Sequence, residues 1–403
     1  MKKNYLFGLC AASMLLMTSC EKDSFFGGMW QGEKAPVTVN LNVALPELQS
    51  ATRTATQFGN GYSAQNLNYA VYEIMTEKTN QVDENGKPVF KDVDTIYLAA
   101  QEVRDAKMNS QLSKTIALKL MPGSTYEVVF WAQHHEQNDA AAPYTCNFNK
   151  IDGKAVIAEV TLDYDKIYTN NEINDAFWGK VRINNVSLDE GSVIDLGTVK
   201  LNRPFAQLNI GTADLQAAAD AGFEVDKVTV SVSNNAYDAL NLWNGKVTRS
   251  ATASEGKVFK KNVVVNPELF AFPISSYADG SENKPLDHLA MNYILVSEDK
   301  ETMNTVTLTY HSGDREKSRT FNIVPVQRNY RTNIFGELLT SDVKVQVTID
   351  PIFADDMYNS DNNGNFPQEE EEEDTPNEEN TPDEENTPGD DQTTEEGGEE
   401  TEE

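Results

Sequence analysis

Cys20 is the residue of this 403-residue sequence whose neighbours most clearly mark it for covalent chemistry. It follows Met17-Thr18-Ser19, which close a basic start (Lys2, Lys3) and an apolar run from Tyr5 to Met17. Charge, apolar segment and small residues in that order read as a secretory signal, too short for a membrane span. A cysteine directly after the small residues is the lipoprotein arrangement. Its thiol takes a diacylglycerol and the freed amine takes a further acyl chain. Met17 stands where Leu is usual. Each buried acyl methylene adds ~0.8 kcal/mol of membrane affinity. These residues predict a signal peptide over 1–19 and lipidation at Cys20. The other reading is an ordinary secretory signal with an incidental cysteine.

The remaining reactive residue types are sparse. Cys10 leaves with the signal, so Cys146 stands alone, and a small buried residue is the expectation for it. His134-His135-Glu136 follows a strand-like run, and neighbours on an extended chain point opposite ways, so they share a metal only if the chain bends. Asn359-Ser360-Asp361-Asn362-Asn363-Gly364 with Glu370 loosely copies a calcium loop, but Pro367 lies inside it and Asn holds the first position. Asn185-Val186-Ser187 matches a glycosylation sequon, but the lipoprotein-type signal implies a bacterial cell, where that pattern carries little information. No zinc-protease, phosphate-loop or nucleophile-elbow motif occurs. Paired carboxylates for glycoside hydrolysis depend on a spacing that sequence does not display. The expectation is a protein without catalysis, cofactor or metal. Trp30, Trp131, Trp178 and Trp243 fit a core better than a sugar-stacking platform.

Charge sets further bounds. From Gln368 to Glu403 there are 19 Asp and Glu and no Lys or Arg; without this tail the net charge changes from −31 to −12. A mildly acidic body disfavours nucleic acid, whose phosphates need a basic surface. The tail repeats a six-residue unit from Thr375, Thr381 and Thr387 and has almost nothing apolar to bury, so it is expected to be disordered. Its 36 residues, fully stretched, reach ~120 Å. It reads as a solvated extension, or as a weak polyanion for divalent cations or a basic partner.

Between these ends the hydropathy alternates. Val37, Val39, Leu41, Val43 and Leu45 share one face of a predicted strand that Pro46 ends. Asn85-Gly86 marks a hairpin after a strand over Leu67–Met75. Pro122-Gly123 separates strands over Thr115–Leu120 and Thr125–Ala132. In the latter Tyr126, Val128 and Phe130 face away from Val129 and Trp131, as in a central strand covered on both sides. Strands continue at Val156–Val160 and Trp178–Ile183, and Asp195-Leu196-Gly197 reads as the neighbourhood of a domain boundary. One helix is expected over Ala213–Ala221, capped by Thr212 and stopped by Gly222. Strands follow through Lys227–Ser233, Ala290–Val296, Val306–Tyr310, Arg319–Val324 and Val343–Ile349. Many short strands between turns predict an all-β chain of two tandem β-sandwiches. The expected division is stalk 20–35, sandwiches 36–198 and 199–357, and tail 358–403.

Several segments, in order, resemble a known family. They are the signal with its cysteine, the first alternating strand, Ala51-Thr52-Arg53-Thr54, Leu67-Asn68-Tyr69-Ala70-Val71-Tyr72, and Leu118 to Tyr126. Phe177-Trp178-Gly179, Leu201 to Ile210 and Arg328 to Thr340 complete the series. This order is similar to that of the fimbrillin-like lipoproteins, relatives of type V pilus subunits. The resemblance implies two transthyretin-like sandwiches and export as a lipoprotein. In polymerising members a surface protease cuts after a basic residue beyond the first strand, and another subunit's C-terminal strand fills the groove. Carried over, Val37–Leu45 is the removable strand, Arg53 the cleavage residue and Val343–Ile349 the donor strand. The residues alone also admit Arg53 as an ordinary loop arginine. The long tail after the donor strand departs from the family pattern and favours a member that does not polymerise or that caps a fibre.

The expected role is therefore a cell-surface lipoprotein for adhesion or pilus structure, held in the outer membrane by lipid, with fimbrium as a further location. Its expected partners are the membrane, pilin-like subunits, and surface protein or glycan. Glu21 and Asp23 beside Cys20 resemble a surface-export tag. The alternative is a non-polymerising surface protein that binds glycan or protein; a lipid-anchored hydrolase is a third, weaker reading.

Overall fold

The computed structural model describes residues 36–46, 58–153, 155–184, 193–233, 236–249, 257–259, 263–280, 282–341 and 345–351. Strands dominate: β1 (Val37–Ala44), β2 (Asn66–Val82), β3 (Pro88–Tyr97), β4 (Val103–Lys107), β5 (Ser113–Leu120), β6 (Thr125–Gln133), β7 (Tyr144–Asp152), β8 (Ala155–Leu162), β9 (Phe177–Ile183), β10 (Val193–Lys200) and β11 (Phe205–Thr212). After the helix α1 (Leu215–Asp220) come β12 (Lys227–Val232), β13 (Ala239–Asn241), β14 (Val247–Thr248), β15 (Lys257–Val258), β16 (Val263–Val264), β17 (Ala271–Asp279), β18 (Glu282–Leu295), β19 (Glu301–Ser312), β20 (Arg315–Val326), β21 (Arg331–Gly336) and β22 (Val345–Asp350). The fold is all-β, with sheets packed face to face.

The sheet β3-β2-β6-β9 is central. All nine residues of β6 are buried, because side chains leave the strand on both faces into apolar surroundings. Tyr126, Val128 and Phe130 enter one core, shared with the small sheet β10-β1-β5. Val129 and Trp131 enter a second core, shared with β7 and β8 and with β11, β12, β18 and β19. That second core is continuous from Phe58 to Leu339.

Local signals explain several turns. Asp83 to Lys87 close the β2–β3 hairpin: Asp83 N donates to Lys87 O at 2.9 Å and Gly86 takes φ +74°. Asp195-Leu196-Gly197 forms a bulge inside β10. Gly197 N donates to Asp195 Oδ1 at 2.9 Å, Gly197 has φ +75°, and the pairing with β1 shifts register there.

The helix begins later than expected. Asp214, not Thr212, is its N-cap residue, and the Asp214 side chain makes no capping bond. Its carboxylate instead accepts from Thr212 Oγ1, the amides of Leu339 and Thr340, and Thr340 Oγ1. A distant loop outcompetes the local cap.

Candidate functional site

Two features flank residues 47–57, the segment that carries Arg53: the strand before it and the seat of the chain after it. The first is β1. Its apolar side chains Val37, Val39, Leu41 and Val43, with Leu45, are at most 4% exposed, while Thr38, Asn40 and Asn42 are half-buried on the other face. Strict alternation places every second residue in the core. β1 pairs antiparallel with β5 from Val37–Leu120 to Ala44–Ser113 and parallel with β10 from Thr38–Val193 to Ala44–Lys200. Among the described residues neither β5 nor β10 has another strand partner. Lys119 Nζ to Thr38 Oγ1 (2.5 Å) and Asn42 Nδ2 to Thr198 Oγ1 (3.2 Å) add polar stitches at the outer face. Leu45 N donates to Leu112 O at 2.9 Å as the strand ends.

The second feature is Phe58-Gly59. The Phe58 ring stacks on Phe270 with centroids 4.5 Å apart and lies 5.4 Å from His288. Phe270 and Phe272 flank His288 at 5.8 and 6.5 Å. The Phe58 carbonyl accepts from Arg331 Nη2 at 2.9 Å, and the Gly59 carbonyl accepts from Arg203 Nη2 at 3.1 Å. Gly59 N donates to Glu172 Oε1 at 2.7 Å. Gly59 has φ +96°, which favours glycine. Four residues on, Ser63 Oγ donates to the Glu172 carbonyl at 2.6 Å.

A buried polar cluster stands behind this seat. Glu172 starts, and Asp175 directly follows, a single 3-10 turn held by Asn171, whose Oδ1 accepts from Ile173 N. Arg203 donates to both oxygens of Asp175 at 2.7 and 2.8 Å and lies 4.9 Å above the Phe177 ring. Burial opposes the Arg203 charge, but Asp175 outweighs it and raises the guanidinium pKa. Burial, then the nearby Asp175 charge, pushes Glu172 up to about 7, although Tyr293 donates to it at 2.7 Å. Arg331 donates through Nε to Gln207 at 2.8 Å; burial, then Arg203, lowers its pKa to about 10. His288 is buried, neither ring nitrogen has a hydrogen-bond partner among the described residues, and burial drives its pKa down to about 3. It is a neutral ring among phenylalanines. The cluster's donors and acceptors converge on backbone atoms of residues 58 and 59: chemically it is a holding device.

No sequence motif groups Glu172, Asp175, Arg203 and Arg331. Arg203 lies between Leu201 and Phe205, and a lone cation in so apolar a stretch was the available signal. Cys20 and Arg53 lie outside the described residues, as do the sequon at Asn185, the loop at Asn359–Gly364, Trp30 and the acidic tail. Cys146 is a buried free thiol whose pKa burial raises. The chain does bend after Gln133, and the rings of His134 and His135 meet edge-on at 5.0 Å. They bind separately: His134 Nδ1 lies 3.0 Å from Ser63 O, and His135 Nδ1 lies 2.7 Å from Asp139 Oδ2. Among the described residues no group of three His, Cys, Asp or Glu could hold a metal, and no helix is long and apolar enough to cross a membrane. Trp131 is fully buried, and Trp178 and Trp243 pack against the second core.

Among solved structures, the chain is similar to a fimbrial protein from Bacteroides vulgatus at 9% identity and TM-score 0.40, over 77% of this chain and 98% of that one. A second is the tip fimbrial protein Mfa3 from Porphyromonas gingivalis with C-terminal truncation, at 13% identity and TM-score 0.35, over 78% and 99%. A third is a fimbrial assembly protein from Parabacteroides distasonis, at 15% identity and TM-score 0.34, over 79% and 100%. Among curated proteins none matches. The model of the family described as a family of unknown function (DUF6562) matches residues 31–374, and the chain belongs to that family.

Proposed function

We propose that the protein is a lipid-anchored cell-surface protein of the fimbrillin-like type, made of two sandwich modules, whose first strand is exchangeable. The observation that carries this reading is β1. With Leu45 just beyond its end it supplies five core side chains, and it is the strand partner of both β5 and β10. Each such side chain is worth ~1.5–3 kcal/mol when buried. A domain's whole stability is ~5–15 kcal/mol, so bare loss of β1 would bring its module close to unfolding. Departure of β1 is therefore coupled to arrival of another strand, which satisfies the exposed edges by β-augmentation. The order of motifs along the sequence, from the cysteine at 20 to Arg53 in the segment after β1, supports the same reading.

A matching strand exists in the chain. Val343-Lys344-Val345-Gln346-Val347-Thr348-Ile349 repeats the alternation of Val37-Thr38-Val39-Asn40-Leu41-Asn42-Val43. β22 lies at the end of the sheet β17-β18-β11-β21-β22. It also pairs antiparallel with β21 along its whole length, from Val345–Gly336 to Asp350–Arg331. That pairing favours the second reading, a tethered surface protein for glycan or protein that never polymerises.

Trypsin digestion separates the two. The first reading expects one early cut after Arg53, abolished in Arg53→Gln, followed by SDS-resistant ladders. A clipped protein that stays monomeric supports the second. A protein that trypsin leaves whole, or opens elsewhere first, overturns the role given to Arg53. Labelled palmitate should enter the wild type and not Cys20→Ala.

A further inference from the structure

Phe58 and Gly59 are held from far along the chain. Their partners Glu172, Arg203, His288 and Arg331 lie 113 to 273 residues away for the hydrogen-bonded members, and none belongs to β1, β5 or β10. The seat is shaped for this pair. The Phe58 ring packs against both Phe270 and His288, whose own rings meet at 5.8 Å, two guanidinium groups meet consecutive carbonyls, and one carboxylate meets the amide between them. An α-carbon substituent at position 59 would strain the backbone at φ +96°. Withdrawing the pair would take an acceptor from each of two buried cations and open the His288 ring to water, changes that cost more in a low-dielectric interior than at a surface.

Residues 47–57 therefore run between two fixed ends. One is β1 in its sheet. The other is the seat. We infer that the Phe270–His288 box, with Arg203, Arg331 and Glu172, is a binding site for an aromatic-glycine dipeptide that this chain fills with its own Phe58-Gly59, and that it retains the new chain end after scission between β1 and Phe58. The site rests on the proposed exchange of β1 for its purpose. A cut anywhere in 47–57 then leaves β1 alone free to be exchanged. Residues 58–65 stay docked, β2 keeps its place beside β6, and the second core stays closed while the first is reopened.

The test does not depend on Arg53. A recognition sequence for a site-specific protease is placed within 47–57 of the full chain. After complete cutting, hydrogen exchange is followed separately in peptides covering 37–46 and 58–65. Protection of 58–65 should stay within ~2-fold of the uncut protein, whereas Phe58→Ala should lose ~10-fold or more of that protection on cutting. Loss of protection at 58–65 in the cut wild type would overturn the inference without any variant. So would an equal protection in cut Phe58→Ala. The behaviour of 37–46 reports on β1 exchange alone, so failure of that reading appears in a different peptide.

Discussion

Asp175 and Arg203 meet through two parallel bonds of 2.7 and 2.8 Å, and both side chains are fully buried. Fork-to-fork geometry of this kind suits arginine and not lysine. Asp175→Asn should destabilise the fold by ~3–5 kcal/mol, since it leaves a buried cation without its counter-charge. Arg203→Lys should not rescue function of the pair. Replacing both residues by apolar ones of similar volume should recover much of the loss. Urea unfolding of these variants beside the wild type checks each step; equal stability of Asp175→Asn and wild type would show the pair to be unimportant.

Two buried titrating groups near Phe58 respond to pH in opposite directions. Glu172 is raised from 4.5 to about 7 by burial and Asp175, so its folded state holds the proton more tightly. Its contribution is complete below 4.5 and is lost as pH rises through about 7. His288 is lowered from 6.5 to about 3 by burial, so its contribution is complete above 6.5 and is lost as pH falls towards about 3. Relative to wild type, Glu172→Gln should gain stability with rising pH, and His288→Phe should gain it with falling pH. Thermal unfolding across the acid and neutral range checks both signs; parallel curves for variant and wild type would show that neither group titrates with folding.

Much of the architecture was legible because it depends on short-range pattern. Alternation from Val37 to Leu45 gave β1 and its buried face. Apolar residues on both sides of Thr125–Ala132 gave a strand between two cores. Asn85-Gly86 gave a hairpin. The misses share a cause. Thr212 looks like a helix cap, yet the cap position falls to Asp214, whose carboxylate is spent on Leu339 and Thr340, about 125 residues later in the chain. Asp195-Leu196-Gly197 reads as the neighbourhood of a domain boundary, and its bulge within β10 becomes visible only with β1 alongside, where pairing shifts register and continues to Lys200. The Glu172–Asp175–Arg203–Arg331 cluster was illegible for the same reason: each residue is ordinary until the fold sets the others beside it.

Gly211 offers a test of packing around the seat. It pairs with His288, and a β-carbon there would meet the Phe272 ring at 2.6 Å. Real carbons do not approach that closely, so Phe272 must shift. Gly211→Ala should cost ~1–3 kcal/mol by overpacking. Shortening the ring in Gly211→Ala/Phe272→Leu should return part of it. A double-mutant cycle from denaturant unfolding measures this, and zero coupling would contradict the contact.

The sharpest contrast lies within β1. Leu41 is fully buried, whereas its neighbour Asn40 is half-buried on the outer face. Leu41→Ala should cost ~2–5 kcal/mol, the range for deleting a buried leucine side chain. Asn40→Thr should stay within ~0.5 kcal/mol, because it keeps a polar group at the surface and suits a strand. The same difference should govern exchange. A labelled peptide with the sequence Val343–Asp350 should enter the cut Leu41→Ala protein faster than the cut wild type, because the outgoing strand is held less firmly. Asn40→Thr should match the wild type. Fluorescence anisotropy of the peptide follows entry in real time. Equal rates in all three proteins would mean that burial of β1 does not limit its replacement, and the groove would no longer explain what the strand is for.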